Sequence, residues 1–162
     1  MRRISMVAFA LVALSACESK APAPAAATAP SSGPEYHQVL DVKQVMSWIL
    51  DPSSDVIWGA VGSITTEEGT KELVPETDEQ WTAIRDAAAI VAESGNLLLM
   101  PGRARDQGDW TKHSHELIRT AQEAIAAAEA KDKDSLFTAG GDIYLVCTAC
   151  HQQYALDLKK VD

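Results

Sequence analysis

The chain has 162 residues, 46% of them hydrophobic, 23% charged and 6% aromatic, and its formal net charge is −9. That composition suits one globular domain with a real core and excludes a disordered chain. Three cysteines are too few for a disulfide framework. The acidic balance argues against nucleic acid and against an acidic membrane surface as direct partners. No apolar run reaches the roughly 20 residues of a membrane-spanning helix.

The first residues read as an address. Arg2 and Arg3 form a basic start, Ile4 to Leu14 are apolar apart from Ser5, and small residues precede Cys17. This is the pattern of a secretory signal. Leu14-Ser15-Ala16-Cys17 also resembles the bacterial lipobox, which implies a signal over residues 1–16, a lipidated Cys17 and a lipid anchor to the membrane. Glu18 after the cysteine favours the outer membrane. Removing residues 1–16 leaves 12 basic residues against 23 acidic ones, a net −11. Residues 17–35 are rich in Ala, Pro and Ser and read as a tether, because such a stretch cannot bury enough apolar surface to offset its chain entropy. The folded domain is expected over 36–162.

Four helical segments are legible in that domain. Asp41 is placed to cap a helix whose stripe is Val42, Val45, Met46 and Ile49. Pro52 is expected to break or kink it. A second short piece carries Val56, Ile57, Trp58 and Val61, ended by Gly62. The Thr-rich stretch Ser63 to Pro75 reads as a small hairpin or an irregular loop. Thr77 and Gln80 form a capping-box pattern before Trp81, Ile84, Ala88 and Val91, a helix expected to end near Gly95. Pro101-Gly102 is punctuation, and Asp109 is placed to cap the next helix, with Trp110, Leu117, Ala121, Ala124 and Ala128 as its stripe. Asp132 or Asp134 opens the last helix, where Leu136, Gly140, Ile143, Cys147, Cys150 and Tyr154 follow at spacings of three and four. The fold class read from this pattern is all-α, an antiparallel four-helix bundle.

Cys147-Thr148-Ala149-Cys150-His151 carries the chemistry. Cys-x-x-Cys-His is the attachment pattern of c-type haem. On a helix the three side chains project at about 0°, 300° and 40°, from one face. Two thiols can then bind the haem covalently while the neighbouring imidazole reaches iron as the proximal ligand. Rival readings fit less well. A thioredoxin-like pair sits at a helix N-terminus after a strand, and this one lies near a helix C-terminus. A zinc site needs a fourth ligand. A disulfide between the two cysteines would strain a helix.

A four-helix pattern with Cys-x-x-Cys-His near the C-terminus of its last helix resembles the class II c-type cytochromes, the cytochrome c′ family. The resemblance covers about residues 36 to 160. It rests on Cys147, Cys150 and His151, on Tyr154, on the stripe from Trp110, and on Met46 in the first helix. Ala155 departs from it, standing where a basic residue often follows the tyrosine. The Ser63–Pro75 insertion and Pro52 depart as well. The resemblance implies one covalent haem c near the C-terminus and a first helix covering the distal face of the haem.

In such proteins a distal Met gives six-coordinate iron and electron transfer. An apolar residue instead leaves five-coordinate iron open to small gases such as NO or CO. Met46 lies on the apolar stripe of the right helix and is the expected distal ligand; the alternative is that it fills core space. Met100, before Pro101, is a second candidate. His113 lies at the edge of its helix stripe, whereas His37 and His115 read as solvated. Arg103 and Arg105 read as a solvated loop, though either could pair with a haem carboxylate. Tyr154 is expected beside the haem edge. Gly140 and Gly141 suggest either a close approach or a hinge.

Taken together, the sequence predicts a lipid-anchored periplasmic carrier of single electrons with His/Met-ligated iron. The alternative is a five-coordinate gas-binding protein. No proton-transfer constellation or activated nucleophile is legible, so no enzymatic activity of its own is expected. The acidic surface suggests redox partner proteins with a basic docking patch. The resemblance also makes a homodimer possible.

Overall fold

Asp41 starts the first helix. Its carboxylate accepts the Gln44 amide at 2.7 Å, and the Gln44 side chain accepts the Asp41 amide at 3.0 Å. This reciprocal pair satisfies two donors that have no partner within the helix. The computed structural model describes residues 36–155. They belong to a unit spanning Glu35–Asp162. Cys17, the signal and the tether lie outside the described residues.

The break expected at Pro52 does not occur. Helix α1 (Val42–Val45) passes into a π-helical turn, Met46–Leu50, and then into α2 (Asp51–Trp58). In a regular α-helix the Pro52 ring would crowd the carbonyl four residues back and leave it without an amide donor. Here the Asp51 amide donates to the Met46 carbonyl, a five-residue step, and the chain stays helical through the proline. α2 ends at Gly59, whose amide donates to the Asp55 carbonyl at 2.9 Å, so the helix stops short of Gly62.

Of the two readings of Ser63–Pro75, the hairpin is the one that forms. β1 (Gly62–Thr66) and β2 (Gly69–Leu73) pair antiparallel, with Thr66 opposite Gly69 and Glu67-Glu68 as the turn. Gly69 has φ of +131°, a conformation that L side chains rarely adopt. The Thr65 and Thr70 hydroxyls meet across the strands at 3.0 Å.

α3 (Asp78–Leu99) opens with the Thr77–Gln80 capping box. It does not end near Gly95 but runs four residues past it. Gly95 is a contact point rather than a terminator. A Cβ there would lie 2.5 Å from Ile118 Cγ1 and 2.8 Å from the Ser114 carbonyl oxygen, so glycine lets α4 (Asp109–Ala130) pack close. The helix stops at Met100, which is extended because Pro101 follows.

Asp109 is not the cap of α4 but its first residue. Asp106 takes the capping role: its carboxylate accepts the Gly108 amide at 2.8 Å and the Trp110 amide at 3.1 Å. Lys131, in the left-handed conformation, ends α4. Asp132 then caps α5 (Lys133–Tyr154) by accepting the Asp134 and Ser135 amides.

The described residues are mostly helical, with one two-stranded sheet among them. α3 packs on α4, α4 on α5, and α2 on both α3 and α5. Val45, Ile57, Val91, Ala121, Ala124, Leu136 and Ile143 are almost wholly buried between these helices. The alanines of α4 favour the helix intrinsically and keep its neighbours near. No helix among the described residues is long and apolar enough to cross a membrane.

Candidate functional site

A cavity of about 710 Å³ opens between the first helical stretch, α4 and α5. That volume falls in the range of small-molecule and cofactor sites. One wall carries Cys147, Cys150 and His151 from α5, and another carries Met46, Leu50, Ser54 and Trp58. His113, Ser114 and Leu117 of α4 also line it, with Leu98 of α3. The sequence motif and Met46, about a hundred residues apart in the chain, thus share one space.

The two thiols are free and half-buried. Burial raises both above the ordinary value for a cysteine. The nearby Asp51 carboxylate adds to this at Cys147, and Cys150, beside Cys147 and Asp106, is pushed up to about 11. Both are therefore neutral thiols at pH 7. This is the opposite of the lowered value that marks a thiol-redox pair. His151 is exposed at the cavity edge and Met46 is half-buried.

Trp58 ties the two walls together. Its indole N–H donates to the Gly140 carbonyl at 2.9 Å, and its ring meets Tyr144 edge-on at 6.0 Å. Seven residues earlier along the first stretch, Asp51 acts on Cys147, itself seven residues after Gly140. Met46, His151 and Gln152 line the same cavity. Gly140 is met by Trp58 through its carbonyl, and a Cβ there would make ordinary van der Waals contact with the indole at 3.4 Å, whereas Gly141 faces open space.

Tyr154 joins α5 to the start of α4. It does not line the cavity. Its ring packs edge-on against Trp110 at 5.1 Å, and its hydroxyl donates to Asp106 Oδ2 at 2.5 Å. A phenol seeks a hydrogen-bond partner, and the Asp106 carboxylate at the head of α4 supplies one. The pair latches the end of α5 to the start of α4. Partial burial, together with that carboxylate, pushes Tyr154 up to about 12. The hydrogen bond from Tyr154 holds Asp106 below the ordinary 3.8. A carboxyl lowered by folding stabilises the native state above its unfolded value and loses that effect as pH falls through the folded one. Asp106→Asn should therefore lower the melting temperature at pH 7. The difference from the parent protein should shrink as pH drops below about 3.8. Thermal melts of both chains between pH 3 and pH 7 test this.

The reading of Arg103 is corrected, for it is not solvated. It is 5% exposed, and its guanidinium donates to the carbonyls of Leu40 at 3.0 Å and Leu97 at 3.3 Å. It also donates to Met100 Sδ at 3.1 Å, so that sulfur is engaged away from the cavity. His113 is half-buried on the cavity wall, while His37, His115 and Arg105 are exposed. Ala155 lines the cavity. Sequence reasoning missed Asp106 and Ser54. Asp106, two residues before Gly108 and four before Trp110, carried the local signal of an Asp that turns the chain into a helix. Ser54, 2% exposed, gave none.

No protein-family model, curated protein or solved structure matches the chain. Among the described residues, no three His, Cys, Asp or Glu side chains gather into a metal-binding cluster.

Proposed function

We propose that the chain is a haem c protein that carries single electrons, with His151 and Met46 as the axial ligands of its iron. The observation that carries this reading is the shared cavity, with two thiols and an imidazole on one wall and a thioether on another. The donor set suits haem. Cys147 and Cys150, free and unionised, are available for the two thioether links. His151 stands next to them, and Leu50, Leu117 and Val146 supply apolar walls. The hydrogen bond from Trp58 to Gly140, which joins the first helical stretch to α5, and the cavity shared by Met46 and His151 support a bundle that encloses the haem between these elements.

When bound, the haem supplies a one-electron iron couple. The chain's own residues do the rest. Cys147 and Cys150 fix the group on α5, so it cannot dissociate. His151 and Met46 would hold the iron, and an imidazole with a thioether would favour the ferrous state and raise the potential. Leu50 and Leu117 give the cavity an apolar lining, which would also bear on the potential.

The N-terminal pattern supports a periplasmic lipoprotein, anchored through Cys17 with residues 17–35 as tether and with the outer membrane favoured. The mature net charge of −11 supports redox partners with a basic docking patch. The test is the optical spectrum of the exported, purified protein, oxidised and reduced, with and without carbon monoxide. A low-spin spectrum that the gas leaves unchanged is expected. A high-spin spectrum that shifts on adding the gas would replace electron transfer with gas binding.

A further inference from the structure

The helix that carries Met46 is wound in an unusual way, and the winding decides where Met46 points. An α-helix turns about 100° per residue. Met46 lies twelve residues before Trp58. In an uninterrupted α-helix it would stand about 120° around the axis from Trp58, and Ser47 rather than Met46 would come within about 20° of it. The π turn Met46–Leu50 adds one residue to one turn and takes back about 100°. Met46 then shares the cavity wall with Ser54 and Trp58.

Contacts at both ends mark the phase that the turn between them sets. At the start, the Asp41–Gln44 pair caps the helix and Val45 is fully buried. At the end, Trp58 is bonded to Gly140 and Ile57 is 1% exposed. Pro52, the second residue of α2, denies the stretch its regular alternative, because an α-helical path would set its ring against the Trp48 carbonyl. π turns are rare and frequent at functional sites, which fits a turn that presents a side chain to a cavity.

We propose that Pro52 is a positioning residue: by enforcing the π turn it aims the Met46 thioether into the cavity. The inference rests on reading Met46 as an iron ligand. Replacing the proline should let the α-helical path form, swinging Met46 away and bringing Ser47 into its place.

The test uses the haem-loaded protein. Pro52→Ala should lose the low-spin spectrum, and its ferrous form should go from no carbon monoxide binding to binding in most molecules. Deleting Ile49 in the Pro52→Ala background removes the extra residue. One α-helix then keeps Met46 and Trp58 in phase, and the low-spin, gas-insensitive spectrum should return. A general loss of stability would not be rescued by such a deletion. In the haem-free chain, amide exchange across 48–54 should slow in Pro52→Ala as regular bonds replace the π turn.

A Pro52→Ala protein that stays low-spin and ignores the gas, while Met46→Leu binds it, would overturn the inference and leave the proposed function standing. Unchanged exchange in the haem-free chain would overturn it too. If Met46→Leu leaves the spectrum as it was, the ligand reading fails and the inference goes with it. Should Pro52→Ala fail to take up haem, the doubly altered chain decides: low-spin and gas-insensitive supports the proposal, high-spin overturns it.

Discussion

With haem held as proposed, Met46→Leu should leave the iron five-coordinate, open it to carbon monoxide and lower its reduction potential. Leucine nearly matches methionine in volume, and such exchanges usually cost less than about 1.5 kcal/mol. The fold and the cavity should therefore survive while the sulfur is lost. Thioether ligation opposite an imidazole stabilises ferrous iron, so its removal moves the potential down. Carbon monoxide binding should rise from none to nearly one per haem. The spectrum and the potential of the variant check this, and an unchanged pair would make Met46 a filler of core space.

Gly95→Val should be among the most damaging single changes in the core. A Cβ at this position meets Ile118 Cγ1 at 2.5 Å and the Ser114 carbonyl oxygen at 2.8 Å. The isoleucine can rotate, but the carbonyl belongs to the backbone of α4 and cannot yield without moving the helix. Overpacking of this kind costs about 1–3 kcal/mol, occasionally more. The added methyls of valine put the expected value at the upper end. The gain in helix propensity over glycine, at most about 1 kcal/mol, offsets only part. A fall in melting temperature of several degrees is expected. Gly141→Ala is the matched control, since nothing stands within 4 Å of a Cβ there and the residue is exposed. That change should stabilise the chain by up to about 1 kcal/mol. Thermal melts of the two variants should move in opposite directions, and equal losses would mean that both glycines serve the helices in the same way.

Much of the helical pattern was legible because its signals are local. Asp41 with Gln44, Thr77 with Gln80, and Asp132 mark helix starts through bonds made within three residues. The cavity-lining positions of Cys147, Cys150 and His151 were legible for the same reason, because their spacing fixes one helix face. What failed depended on partners distant in the chain or on an uncommon winding. Gly95 looked like a stop because glycine usually weakens a helix, yet its role comes from Ile118 and Ser114 on another element. The contacts of Tyr154 with Trp110 and Asp106, more than 40 residues away, likewise lay beyond any local spacing. Arg103 looked solvated because an arginine beside Pro101-Gly102 usually is. Its three acceptors include Leu40, 63 residues away. Pro52 was expected to interrupt a helix, since the rule for proline assumes α winding; the π turn evades it.

The central claim is that Cys147 and Cys150 hold haem covalently. The most direct measurement is the spectrum of the protein chain after export in a host that attaches haem c, denaturation, and extraction with acidified organic solvent. The account predicts that the haem absorbance stays with the chain, and that it is lost when both cysteines are replaced by serine. A colourless chain, with all haem in the solvent or none at all, would contradict it.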